Sequence, residues 1–263
     1  MRVQLAATFA LLACATGCKL QRQEVASVPQ LPYPSCGSTS LPDGTVDAVG
    51  FLRAGSFMRE RSYVERFEVR DRACLRIASA RVETAGAMHD FEIVYDDHGR
   101  PLRAWRRTTL PGIPVPDGNP DIRKYELRTP VVTISRRSPE GREYVELSGG
   151  RPTAVITLAR GTLTPWIQRA RLSVGQSVRE TVLDMTGYDR IQNAELRRDP
   201  DLTREDLGGR VRVYTIYGRD TVFTDDNNVV VGDLNGLRRA TLITSPLPPA
   251  QSTYGGADPV GTP

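Results

Sequence analysis

The chain has 263 residues, which leaves room for one domain of roughly 200 residues with a core of its own. Hydrophobic residues make up 39% and charged residues 25%, a little polar for a compact protein yet far from the profile of wholesale disorder. The net charge of +4 is spread over 35 basic and 31 acidic side chains, too small and too mixed to point to nucleic acid or to an anionic lipid surface as the partner.

Chain order begins with a leader. One positive charge at Arg2 precedes an apolar run from Val3 to Ala13, broken only by Gln4 and Thr8, and small residues follow at Ala15, Thr16 and Gly17. A membrane-spanning helix needs about 20 apolar residues, so this shorter run reads as a secretory signal over residues 1–17. The four residues Ala15, Thr16, Gly17 and Cys18 resemble the lipobox of bacterial lipoproteins. That resemblance covers only the leader, and it implies that Cys18 receives diacylglycerol and becomes the mature N-terminus. Ala15 departs from the pattern, which most often has leucine there. Leu11, Leu12, Ala13 and Cys14 fit it letter for letter but would make an unusually short signal. Cleavage before Cys18 discards Cys14 and leaves Cys36 and Cys74 as an even pair, whereas cleavage before Cys14 strands Cys18 as an odd thiol in an oxidising compartment. Cys18 is therefore preferred, with Cys14 as one alternative and a soluble periplasmic protein as another. Buried acyl methylenes contribute about 0.8 kcal/mol each, so several chains anchor the protein permanently to a membrane. By the same resemblance, Lys19 in place of aspartate implies sorting to the outer membrane. Cys36 and Cys74 would close a loop of about 39 residues, for roughly 3–4 kcal/mol by chain entropy; two buried free thiols are the alternative.

Residues 18–48 carry Pro29, Pro32, Pro34 and Pro42 and read as a lipidated stalk. Residues 245–263 are rich in proline and glycine and read as a disordered tail. Between them, over 49–244, alternation with period two predicts a mainly β domain, an antiparallel meander of about ten strands with one short helix. The clearest hairpin pairs Phe91, Ile93 and Tyr95 with Leu102–Arg107 across a turn at Asp96–Gly99. Tyr63–Arg70 and Leu75–Glu83 pair around Asp71, and Val131–Arg136 pairs with Glu143–Leu147. Ala154–Ala159 and Val178–Met185 are further strands, and Arg190–Asp206 reads as a strand and a loop. Strands at Val211–Tyr217, Thr221–Phe223, Val229–Val231 and Leu237–Ile243 complete the sheet. Thr164 is placed as an N-cap, with Pro165 opening the helix and Trp166, Ile167 and Ala170 on its buried face. Such a meander can curl around the helix or around a ligand cavity. Strands, a short helix over Pro165–Arg171, the turn at Ser173–Gln176, then strands ending in Thr224, Asp225 and Asp226 before a valine run: this order resembles periplasmic half-barrel carriers of the LolA and LolB type. The resemblance, over residues 60–245, implies a hydrophobic or lipidated ligand held between sheet and helix.

Chemistry-bearing motifs are scarce. Gly175, Gln176 and Ser177 come closest to a nucleophile elbow, but Arg179 stands where its second glycine belongs. No phosphate-cradling loop is present. His89 with Asp90, and His98 with Asp96 and Asp97, read as strand and turn residues. Asp225 to Asn228, with Asp233 and Asn235, lack the glycine and glutamate of a helix-loop-helix calcium site and read as turn chemistry. The arginine pairs Arg106–Arg107, Arg136–Arg137, Arg197–Arg198 and Arg238–Arg239 read as solvated strand faces. The expectation is a non-catalytic envelope lipoprotein with no metal, no cofactor and no nucleic-acid partner. It would bind an apolar ligand or another lipoprotein, with Trp105 and Trp166 as candidate cavity residues. The alternative is a structural or protein-interaction module of the envelope whose sheet is filled by its own side chains.

Overall fold

The structure, a computed structural model, describes residues 41–54, 63–84, 86–110, 121–138 and 141–240. The expected leader, the lipidation site at Cys18, Cys36 and the tail at 245–263 lie outside the described residues. The described part is one 15-stranded sheet with one short α-helix, and it bears out the mainly β, curled-sheet expectation.

The sheet grows in two arms from a central strand, β1 (Leu41–Ala54). The first arm is a plain meander: β2 (Tyr63–Ala73), β3 (Leu75–Thr84), β4 (Met88–Tyr95), β5 (Pro101–Thr109), β6 (Asp121–Glu126), β7 (Val132–Ser138) and β8 (Gly141–Leu147). The chain then crosses to the opposite edge as β9 (Ala154–Ile156), passes through a 3-10 turn (Arg160–Leu163) and α1 (Thr164–Ala170), and meanders back. This second arm runs through β10 (Ser177–Asp184), β11 (Arg190–Arg204), a 3-10 turn (Glu205–Leu207), β12 (Gly209–Ile216), β13 (Asp220–Thr224), β14 (Val230–Asp233) and β15 (Leu237–Arg239). β15 rejoins β1 through Leu52↔Arg239, Arg53↔Arg238 and Ala54↔Leu237. Every pairing is antiparallel except β9 with β10, so Ala154–Ile156 is a parallel strand and not a step of the meander.

Three local findings depart from the pattern reading. β1 starts at Leu41, inside the segment expected to be stalk; the ladder shifts register between Leu41 and Thr45, where Pro42 has no N–H to donate. β6 is a full strand, although only its Tyr125 is buried. Thr164 is not the N-cap of α1 but its first residue; Leu163 caps without a side-chain bond, and the Val230 N–H donates to Thr164 Oγ1 at 3.3 Å.

Alternation sorts the first arm into two faces. Glu65, Phe67 and Val69 of β2, Ala78, Ala80 and Val82 of β3, Phe91, Ile93 and Tyr95 of β4, and Ala104 and Arg106 of β5 point inward. Their apolar members share one core with Trp166 and Ile167 of α1 and with Val182, Leu196, Tyr214, Ile216 and Val222 of the second arm. A flat sheet cannot bring strands from both arms into one cluster; the curl does so by wrapping the connector. The second arm also carries a small apolar cluster on its other face, where Leu207 packs against Val211, Val213, Phe223 and Val231.

Phe67 is packed closely against two glycines. A methyl group at Gly50 of β1 would come within 2.1 Å of its ring, and one at Gly161 of the connector within 2.0 Å, so both positions need glycine. The aromatic ring is sandwiched between sheet and connector. Glu65, fully buried one residue pair away, ties the same connector down: the Arg160 N–H donates to its Oε2 at 2.8 Å and the Gly161 N–H to its Oε1 at 2.6 Å.

Candidate functional site

The two tryptophans proposed as cavity residues are not brought together. Trp166 is buried among the core residues of α1. Trp105 lies opposite Glu92 and Lys124 on the outer face of the first arm, with the Arg107 guanidinium 5.8 Å from its ring centroid. Arg106 and Arg107 split in the same way, Arg106 inward to Asp189 and Arg107 outward to Asp90 at 2.5 Å.

Where the arms meet away from β1, side chains make the connection. Asp189, in the β10–β11 turn, faces Arg106 at 3.3 Å and Arg123 at 2.7 Å, both on inward positions of β5 and β6. Arg106 also donates to the Met185 carbonyl at 3.3 Å. The Tyr125 hydroxyl, on the inward face of β6, is buried there, and burial raises its pKa. Nearby His89 donates or accepts at 3.1 Å with Thr108 Oγ1; burial, then the Arg106 charge, lowers its pKa.

A second junction carries a cavity. The β4–β5 turn contributes His98 and Arg100, the end of α1 contributes Arg169, β10 contributes Arg179, Glu180 and Thr181, and Thr153 completes the lining of a cavity of about 440 Å³. Each group is placed by ordinary local structure. Asp96 Oδ1 accepts from the His98 and Arg100 amides at 3.0 and 2.8 Å, and Gly99 takes a φ of 70° to close the turn. Arg171, at φ 47°, ends α1 one turn after Trp166 and leaves Arg169 directed at the junction. Arg169 donates to the Gly99 carbonyl at 2.8 Å and to the Thr153 carbonyl, and it pairs with Glu180. Thr153 Oγ1 also donates to Glu180, at 2.8 Å. The one carboxylate of the lining is thus satisfied by Arg169 and Thr153. Arg100 and Arg179 have no ion pair or side-chain hydrogen bond among the described residues. The cavity therefore carries two uncommitted guanidinium groups on opposite arms of the sheet.

No family model matches the chain, and no curated protein does. A solved structure similar to it is a DUF1089 family protein from Pseudomonas aeruginosa, 12% identical, covering 80% of this chain and 100% of its own, with a TM-score of 0.45. A likeness of that size carries no functional argument.

The remaining sequence candidates fall into place as follows. Cys74 forms the β2–β3 turn, and Cys36, its expected partner, lies outside the described residues. The Asp225 carboxylate accepts from the Asn227 and Val229 amides at 3.0 and 2.9 Å, and Asn228 sits at φ 60°, so this segment is a turn. Among the described residues there is no group of three or more potential metal ligands, and no helix long and apolar enough to cross a membrane. Sequence reasoning missed the cavity: Arg100, Arg169 and Arg179 come from three separate segments, and no spacing rule links them.

Proposed function

We propose that the chain is a non-catalytic, membrane-anchored envelope protein, tethered through Cys18 and crosslinked through Cys36 and Cys74, whose curled sheet is a filled scaffold presenting a polar recognition site. Of the two readings the sequence leaves open, the filled interior is the better supported. The observation that carries it is the Phe67 ring held between Gly50 and Gly161, with Trp166, Leu163 and Ile167 fully buried beside it. Interior side chains at this packing leave little to gain from an added acyl chain, because every displaced contact must be replaced. Recognition then falls to the junction lined by Arg100 and Arg179.

The carrier reading keeps one supporting observation. Among the described residues, Tyr95 Oη, Tyr125 Oη and Trp166 Nε1 are buried without a hydrogen-bond partner. A bound ligand with polar atoms could satisfy them, as could ordered water. Extraction of the full mature chain with organic solvent, followed by mass spectrometry, separates the readings. The filled scaffold predicts no lipid beyond the anchor, and a stoichiometric second lipid overturns it. Replacing Cys18 with serine is expected to abolish palmitate labelling; labelling that persists moves the anchor to Cys14.

A further inference from the structure

We infer that the cavity between the β4–β5 turn, the end of α1 and β10 binds a phosphate monoester, held between Arg100 and Arg179. This rests on the reading above and names the ligand class of its recognition site.

Charge gives the first step. The lining contains three arginines and one carboxylate, and Glu180 is already neutralised by Arg169. Arg100 and Arg179 remain; Glu195, opposite Arg179 on β11, is outside the lining and makes no ion pair with it among the described residues, so the lining presents two positive charges, and a dianion matches them. Phosphate monoesters carry about −1.5 to −2 charges at neutral pH.

Geometry gives the second step. Arg100 comes from a turn of the first arm and Arg179 from a strand of the second, so a ligand meets guanidinium forks from two elements. A planar carboxylate offers one bidentate edge, whereas a phosphoryl group offers three terminal oxygens to donors arriving from different directions. A volume of about 440 Å³ exceeds what a bare anion fills and leaves space for the esterified alcohol. Arg169 acts as a positioning residue. Its bonds to the Gly99 and Thr153 carbonyls hold the turn that carries Arg100 against the segment that leads into β9.

The alcohol can belong to a soluble metabolite or to a lipid headgroup, and the test has an arm for each. The purified full mature chain, in non-ionic detergent at low salt, is titrated calorimetrically with methyl phosphate. It is separately titrated with dihexanoyl phosphatidic acid below its micellar concentration. Saturable binding in either arm is expected, weakened about tenfold by Arg100→Ala and by Arg179→Ala, as loss of one charge-assisted contact implies. Arg219→Ala, an exposed arginine of the β12–β13 turn outside the lining, is expected to leave binding unchanged. Binding to methyl phosphate assigns the site to soluble esters, and binding to the short-chain phosphatidic acid alone assigns it to a headgroup. Both arginines are exposed, so circular dichroism is expected to show the variants folded. Silence in both arms, or binding that both variants retain, overturns the inference. That failure is separate from failure of the filled-scaffold reading, which the solvent extraction reports.

Discussion

The two arms of the sheet meet in two chemically different ways. At β1 and β15 they are joined by a backbone ladder, continued by the Ala240 N–H donating to the Phe51 carbonyl at 2.9 Å. Across the concave side they are joined by side chains: Asp189 between Arg106 and Arg123, and Arg169 against Gly99, Thr153 and Glu180. A ladder is indifferent to most side chains, because its bonds belong to the main chain. A clasp of buried charges depends on each named group, since removing one leaves its partner buried and unpaired. The ladder makes the sheet continuous, and the side-chain contacts set how it curls.

Substitutions can break this contrast, starting where ladder and connector both rest on one ring. Phe67→Ala is expected to destabilise the protein by about 4 kcal/mol, because it empties the space between Gly50 and Gly161; urea unfolding measures this. Asp189→Ala is expected to cost about 3 kcal/mol, since it leaves the buried Arg106 without a carboxylate and opposite Arg123, which keeps only its pair with Asp121. On the ladder side, Arg239→Ala is expected to change stability by less than about 0.5 kcal/mol, because its exposed side chain makes only a 3.5 Å contact with Asp225. Equal costs for Asp189→Ala and Arg239→Ala in the same unfolding series would erase the distinction between the two junctions.

Acidity sharpens the same contrast, because the connector's anchor titrates. Burial pushes the Glu65 carboxyl up to about 7, against backbone bonds from Gly161 and Arg160 that pull it down. The proton has a place to go: the Tyr63 hydroxyl donates to the Leu158 carbonyl at 2.6 Å, so a protonated Glu65 can donate to Tyr63 Oη at 3.1 Å. Glu92, on the outer face of the first arm, is likewise pushed up to about 7 by burial. In both cases the folded state holds its proton more tightly than the unfolded chain. Their contribution is complete below the unfolded carboxyl range near 4.5 and is lost as pH rises through about 7. Melting temperature is therefore expected to fall between pH 5 and pH 8. Glu92→Gln should flatten that slope and gain about 1 kcal/mol at pH 8. A steeper slope in the variant would contradict the assignment.

How much of this was legible in the chain depended on whether the signal was local. The hairpin at Asp96–Gly99 could be read because Phe91, Ile93 and Tyr95 alternate with polar residues and the turn holds its own aspartate bonds. β1 could not, since its inward positions Ala48 and Gly50 are small and Pro42 argues against a strand. β6 hid because most of its side chains are charged and meet partners far away in sequence, such as Arg123 with Asp189. The opposed faces of Trp105 and Trp166 follow partly from parity, because Trp105 alternates with the inward Ala104 and Arg106. The cavity at Arg100 and Arg179 depends on the curl itself, a property of the whole sheet that no local pattern encodes.

Hydrogen exchange on the full chain, wild type against Asp189→Ala, tests the two-junction account most directly. The account predicts faster exchange at Met185–Arg190 and along β5 and β6, with amides of β1, β14 and β15 protected as before. Uniform acceleration across both junctions, or none at β5 and β6, would contradict it.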